Sequence, residues 1–138
     1  MLFLFNTTIM PNEGVFVSKK ISAEDVAEIF RKNQDDPTGM INYTSAIGHQ
    51  GSADAFNAIF PYLHCATNRI QATMSTGDQA IALKVLGRIA EGQILDFAAL
   101  QDIGFEFYHV RMIADNIGDL EQSAVYAGAA PIAGTIWA

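Results

Sequence analysis

Several things are scarce in this chain, and each shortage excludes something. Cys65 is the single cysteine in 138 residues, so no intramolecular disulfide can form and a reducing compartment is expected. Its ordinary role is that of a small buried apolar filler. Basic residues are few: 8 Lys and Arg against 15 Asp and Glu leave a net charge of -7. A general binder of long nucleic acid needs the opposite balance, because it must replace phosphate counterions. A locally basic pocket for a small phosphorylated ligand remains compatible with an acidic chain. Apolar runs are short. Leu2 to Phe5 ends at Asn6 with no basic region before it, so neither a signal segment nor a membrane span is expected, and a soluble, cytoplasmic protein is. Three histidines without HExxH or paired-cysteine spacing predict no metal site and no cofactor. Gly-x-x-x-x-Gly-Lys-Ser and Gly-x-Ser-x-Gly are both missing.

What is present is a chain that is 50% hydrophobic, enough for one domain with a core. The pattern predicts an α/β fold, a single mixed sheet of about five strands flanked by about three helices. Met1 to Asn6 reads as a buried strand and Val15 to Ile21 as a more exposed one, separated by the turn cluster Pro11-Asn12-Glu13-Gly14. Ser22 and Asp25 form a capping box opening a helix that buries Val26, Ile29 and Phe30. Met40 to Thr44 is a short strand. A second helix is predicted over 52–63, capped by Ser52 and limited by Pro61. Residues 69–74 alternate as a half-buried strand, and Gln79 to Leu86 is a central one broken only by Lys84. Asp96 caps a helix of Phe97 to Ile103 that Gly104 ends, and Phe105 to Ile113 closes the core. The domain is expected over 1–113, with 114–138 as an apolar extension suited to packing or oligomer contact; its last fifteen residues carry no charge.

Chemistry concentrates at Ser45-Ala46-Ile47-Gly48-His49-Gln50-Gly51-Ser52-Ala53. A glycine-histidine-glycine loop directly before a helix delivers His49 and unpaired N–H donors to a helix N-terminus, where anions bind. The plainer reading is an ordinary strand-to-helix turn with a solvated histidine. Lys84, inside an apolar strand, has to reach a carboxylate, a phosphate or solvent. Arg88 and Glu91 form either a surface ion pair or a guanidinium for phosphate and a carboxylate for a hydroxyl. Asn68-Arg69 and Arg111 add donors; His64 and His109 read as structural. Without a metal, the available chemistry is acid–base work centred on His49, such as attack of a ribose 2′-hydroxyl on its own phosphodiester.

Together these segments resemble the DUF1874, or STIV B116-like, family of small viral and bacterial proteins. The matching pieces are the first strand ending at Asn6, Ser45-Ala46-Ile47-Gly48-His49, Asn68-Arg69-Ile70, Gly77-Asp78-Gln79-Ala80, and Arg88-x-x-Glu91-Gly92-x-Ile94-Leu95. Their order holds over residues 1 to about 113. The resemblance implies a mixed sheet with flanking helices and a symmetric dimer, or ring of dimers, enclosing a ligand pocket. Some members are metal-independent ring nucleases that cleave cyclic tetra-adenylate to products ending in a 2′,3′-cyclic phosphate. In those, the position of His49 is the general acid, and those of Arg88 and Glu91 line the site. Similar phage proteins are Thoeris anti-defence sponges that hold cyclic ADP-ribose isomers or cyclic oligonucleotides intact. The chain departs from the nucleases at Ile9, where they carry serine, and at Lys84, where they carry glutamine.

Three readings follow. The first is a counter-defence sponge for a cyclic nucleotide second messenger, acting in a host cytoplasm. The second is a ring nuclease, with His49, Glu91 and Arg88 catalytic. The third is an interaction protein assembled through its tail. The candidate ligand contacts are Asn6, Thr7, Ser45, Gly48, His49, Gln50, Arg69, Leu83, Lys84, Arg88 and Arg111.

Overall fold

The computed structural model describes residues 1–35, 38–88 and 95–118 and the backbone of 134–137. Among them are six strands, β1 (Leu2–Phe5), β2 (Val15–Ile21), β3 (Thr44–Ser45), β4 (Gln79–Val85), β5 (Phe105–Ala114) and β6 (Gly134–Trp137). The helices are α1 (Ala23–Lys32), α2 (Gln50–Ile59) and α3 (Phe97–Ile103). The strands form one mixed sheet in the order β3-β1-β4-β5-β2-β6. β1 runs parallel to β3 and β4, while β5 is antiparallel to both β4 and β2. Five strands thus come from residues 2–114, and β6 adds a parallel sixth along the outer edge of β2.

Alternation assigns the two faces. Leu2, Leu4, Ile81, Leu83 and Phe107 pack against Val26 and Phe30 of α1, Ala53 and Phe56 of α2 and Leu100 of α3, so all three helices cover one face. On the other face Phe3, Phe5, Phe16, Ala80, Ala82, Val110 and Met112 are covered by Met10, Ala72 and Met74. Caps fix the helix starts as the sequence predicts for two of the three. The Asp25 N–H donates to Ser22 Oγ (3.1 Å) and the Ser22 N–H returns to Asp25 Oδ2 (3.2 Å). The Ala99 N–H donates to Asp96 Oδ1 (2.8 Å), and Gly104 ends α3 at φ +87°, where glycine carries no penalty.

Three expectations need correction. Of the strand expected over Met40 to Thr44 only Thr44 joins the sheet, in a two-residue strand with Ser45. The helix predicted over 52–63 is Gln50–Ile59, capped by His49 rather than Ser52. Residues 69–74 form no strand, although Ala72 and Met74 are buried as their alternation requires. Side-chain amides hold the stretch from Cys65 to Met74 at its two ends, where a neighbouring strand would bond along it. Asn57 donates to the Cys65 carbonyl (2.7 Å) and accepts from the Cys65 N–H (2.6 Å). Asn12 does the same to Met74, at 3.0 and 2.8 Å.

His109, on β5, donates its Nε2–H to Gln79 Oε1 (2.8 Å). Burial first, and then the nearby Arg111 charge, push its imidazole below the ordinary 6.5. The fold therefore favours the neutral ring. This contribution is complete above about pH 6.5 and declines as the pH falls from there through the lowered folded value, because the unfolded chain takes up the proton first. Denaturation midpoints measured between pH 8 and pH 5 should fall with acidification, and His109→Gln should flatten that part of the profile.

Candidate functional site

The carboxyl ends of β1 and β3 lie side by side, with Phe3 opposite Thr44 and Leu4 opposite Ser45. In open sheets, loops leaving adjacent parallel strands at this end form the usual ligand crevice. Here the loop after β1 and the loop after β3 meet a third segment, 68–72. The Ala46 N–H donates to the Leu4 carbonyl (2.9 Å), the Asn68 N–H to Ile47 (2.8 Å) and Asn68 Nδ2 to Ser45 (2.9 Å). Arg69 Nε donates to the Gly48 carbonyl (3.0 Å), and the Gly48 N–H leans on Asn6 Oδ1 (3.5 Å). Between these pieces lies a cleft of about 640 Å³, walled by Phe5, Thr7, Ile9, Ala46, Arg69 and Ile70. That volume suits a nucleotide-sized ligand, within the roughly 300–1,000 Å³ of small-molecule sites. Ile9 is 79% exposed and Ile70 45%, so two apolar side chains stand ready beside the Arg69 cation.

His49 sits at the edge of this assembly as the N-cap of α2. The Gly51 N–H donates to its Nδ1 (3.1 Å), which leaves Nδ1 without a proton and places the neutral ring's hydrogen on Nε2. The ring is exposed. A histidine cap explains the earlier helix start: the Ser52 and Ala53 N–H groups both reach the His49 carbonyl, at 3.1 and 3.3 Å.

The structure brings Asn6, Thr7, Gly48 and Arg69 together, with His49 next to them. Other expected contacts are placed elsewhere. Leu83 is 1% exposed and packs under the helices, so it offers no surface for a base. Arg111 pairs in register with Gln79, which itself faces Leu2 at the start of β1, so Arg111 lies at the far end of the sheet from the cleft. Ser45 Oγ is spent on the Ala66 carbonyl (2.7 Å), and Gln50 Nε2 on Asp54 (2.8 Å). Lys84 is exposed on the sheet face that carries Phe5, and Arg88 is exposed three residues beyond the end of β4. Glu91 lies outside the described residues. Cys65 is buried, and that burial pushes its thiol up, away from nucleophile chemistry. Among the described residues, no group of His, Cys, Asp and Glu is placed to hold a metal ion, and no helix is long and apolar enough to cross a membrane.

Asn12, Asn57 and Asn68 carry the scaffold of the site, and reading the sequence did not single out the first two. A signal existed for Asn57. An asparagine inside a helix is unfavourable unless its amide has somewhere specific to bond.

These features define a class: a small α/β protein whose mixed sheet bears helices on one face and a polar-rimmed cleft at the ends of its parallel strands. The chain belongs to the STIV B116-like family, whose model matches residues 2–107. It is similar to the uncharacterized protein ORF117 of Acidianus two-tailed virus, 31% identical over 117 residues that span 82% of this chain and 94% of that protein. Protein 26 of Sulfolobus islandicus filamentous virus is 25% identical over 113 residues, 78% and 88% of the respective lengths. The structure of B116 of Sulfolobus turreted icosahedral virus superposes with a TM-score of 0.62 at 21% identity, covering 80% of this chain and 97% of B116, which establishes a shared fold.

Proposed function

We propose that this protein binds a cyclic nucleotide second messenger, a cyclic ADP-ribose isomer or a cyclic oligoadenylate, and sequesters it intact as a counter-defence sponge. The cleft joins a guanidinium for phosphate, hydroxyl and amide groups for ribose, and apolar side chains for a base. A sponge acts stoichiometrically and needs affinity near nanomolar, about -12 kcal/mol. Dimerisation around the pocket, as the family resemblance implies, would supply contacts that one chain lacks.

The observation that favours holding over cleavage is the capping bond of His49. A general acid delivers a proton from an imidazolium, whose Nδ1 also carries hydrogen. Catalytic histidines are served at Nδ1 by an acceptor such as a carboxylate. Here a backbone N–H points at Nδ1 instead, which suits a neutral ring donating Nε2–H to a bound phosphate or hydroxyl. The ring nuclease alternative requires His49 to leave its cap.

His49→Asn separates the two roles. An asparagine oxygen still caps α2, so thermal stability should stay within about 0.5 kcal/mol of the parent. Affinity for the messenger should fall about tenfold as the Nε2–H contact is lost, with ligand recovered intact from both proteins. Turnover by the parent that disappears in His49→Asn at unchanged affinity would instead establish the nuclease.

A further inference from the structure

A second cleft, of about 360 Å³, opens on the helix side of the sheet. The loop after α1 forms one wall and the segment after α2 the other, and Gln34, Met40, Tyr43, Tyr62, Leu63 and His64 line it. Tyr43 and Leu63 belong to the core beneath the helices. The Arg69 cleft is backed by Phe5, Ala46 and Ala72 of the opposite face, so the two openings are separate. The first wall is braced as a small hairpin. Gln34 bridges to Ile41, the Asp35 N–H donates to the Met40 carbonyl (2.6 Å) and the Asn42 N–H to the Asn33 carbonyl (2.8 Å).

His64 stands in the second wall at φ +50°, the one non-glycine residue of positive φ among the described residues. A side chain persists there only where its neighbours dictate the backbone, and both do. The Leu63 N–H donates to the Phe60 carbonyl (3.0 Å), and the Leu63 carbonyl accepts the Tyr43 hydroxyl (3.0 Å). The Cys65 N–H and carbonyl are both taken by Asn57. The fold thus keeps a strained residue whose imidazole lines the cleft and bonds to nothing among the described residues. The Gln34 amide and the Tyr62 hydroxyl are likewise unbonded among them. Met40 is 70% exposed and Tyr62 54%, so apolar surface stands uncovered on both walls, and no Lys, Arg, Asp or Glu among the described residues lines the cleft.

We propose that this cleft is a binding site for an uncharged planar heterocycle of nucleobase or nucleoside size. The Tyr62 ring and the Met40 thioether offer the apolar, polarizable surface that such a ring packs against. The Gln34 amide supplies a donor and an acceptor side by side, the pair that reads the edge of adenine. His64 and Tyr62 each add a group that can donate or accept. With no cation in the wall, nothing neutralises a phosphate, so the site favours a nucleoside over its phosphate ester, the reverse of the Arg69 cleft. Small-molecule sites begin at roughly 300 Å³, and this volume lies close to that limit. The inference stands apart from the cyclic-nucleotide reading, whose cleft shares no lining residue with this one.

The test is an amide-detected NMR titration of the full chain with adenosine, guanosine and cytidine, and with the 5′-monophosphate of each as the anionic comparison. One nucleoside should shift the Met40, Tyr62 and His64 amides, and its monophosphate should bind there about tenfold more weakly. Tyr62→Ala and Gln34→Ala, both at exposed positions, should fold as the parent does and each weaken that nucleoside about tenfold. His64→Gly should weaken it as much while the melting temperature holds or rises, because glycine accepts the positive φ without strain. A residue with a purely structural role would not lower affinity at unchanged stability. Shifts confined to the Arg69 cleft, monophosphates that bind as tightly as the nucleosides, or variants that bind like the parent would each overturn the site. So would a parent in which none of the three nucleosides shifts these amides at millimolar concentration.

Discussion

Arg69→Ala should lower affinity for the sequestered messenger about a hundredfold while leaving the folded protein nearly as stable as before. The side chain is exposed, and its one hydrogen bond among the described residues runs from Nε to the Gly48 carbonyl, so the fold loses a single surface hydrogen bond. Arg69 lines the cleft and its two terminal nitrogens have no protein partner among the described residues, so a pair of charge-assisted bonds from them to phosphate would be worth about 1.5–3 kcal/mol. Arg69→Lys keeps the charge but loses the bond to Gly48 and the planar fork, so it should recover only part of the affinity, about tenfold below the parent. Calorimetric titration of the three proteins with one messenger reads this directly. Equal affinities would remove the phosphate from the cleft.

The second large effect is on stability. Asn57→Ala should destabilise the protein by about 2–3 kcal/mol, because the buried Cys65 backbone loses both its donor partner and its acceptor partner in one change. For a domain of this size that is a fall in melting temperature of roughly 8 °C. The consequence reaches the site. Cys65 precedes the Ala66 carbonyl that anchors Ser45 Oγ, and Asn68 two residues later pins the loop that carries Gly48. Messenger affinity should therefore fall with Asn57→Ala although Asn57 does not line the cleft. A melting temperature within a degree of the parent would show that the amide clamp is not what holds the segment.

The sequence disclosed the elements whose causes are local. The Ser22 and Asp25 box, the Asp96 cap with Gly104 behind it, and the apolar runs of β1, β4 and β5 all act within a few residues, and all stand where they were predicted. The start of α2 was misplaced because histidine is not among the residues ordinarily expected to cap, whereas Ser52 is. Residues 69–74 show a different limit. Their alternation correctly gave the burial of Ala72 and Met74, but a strand also needs a partner, and the side-chain amide of distant Asn12, bonded to the Met74 backbone, took the partner's place. Leu83 and Arg111 lie away from the cleft for a third reason. Which face and which end of a sheet a residue occupies depends on register and strand order, and neither can be read from one strand alone. The glycine-histidine loop was legible as a candidate site because it announces itself by composition. What it does with His49 was legible only from the direction of one backbone N–H.

The central claim is that a cyclic nucleotide enters the cleft and leaves it unchanged. The most direct measurement is to incubate the full chain for hours, without added metal, with cyclic ADP-ribose isomers and cyclic tri- and tetra-adenylate. The protein is then denatured and the released nucleotide identified by chromatography. The account predicts one messenger recovered intact, in an amount proportional to protein. A linear product ending in a 2′,3′-cyclic phosphate would contradict sequestration and make His49 an acid, and recovery of no nucleotide at all would contradict the cleft as a messenger site.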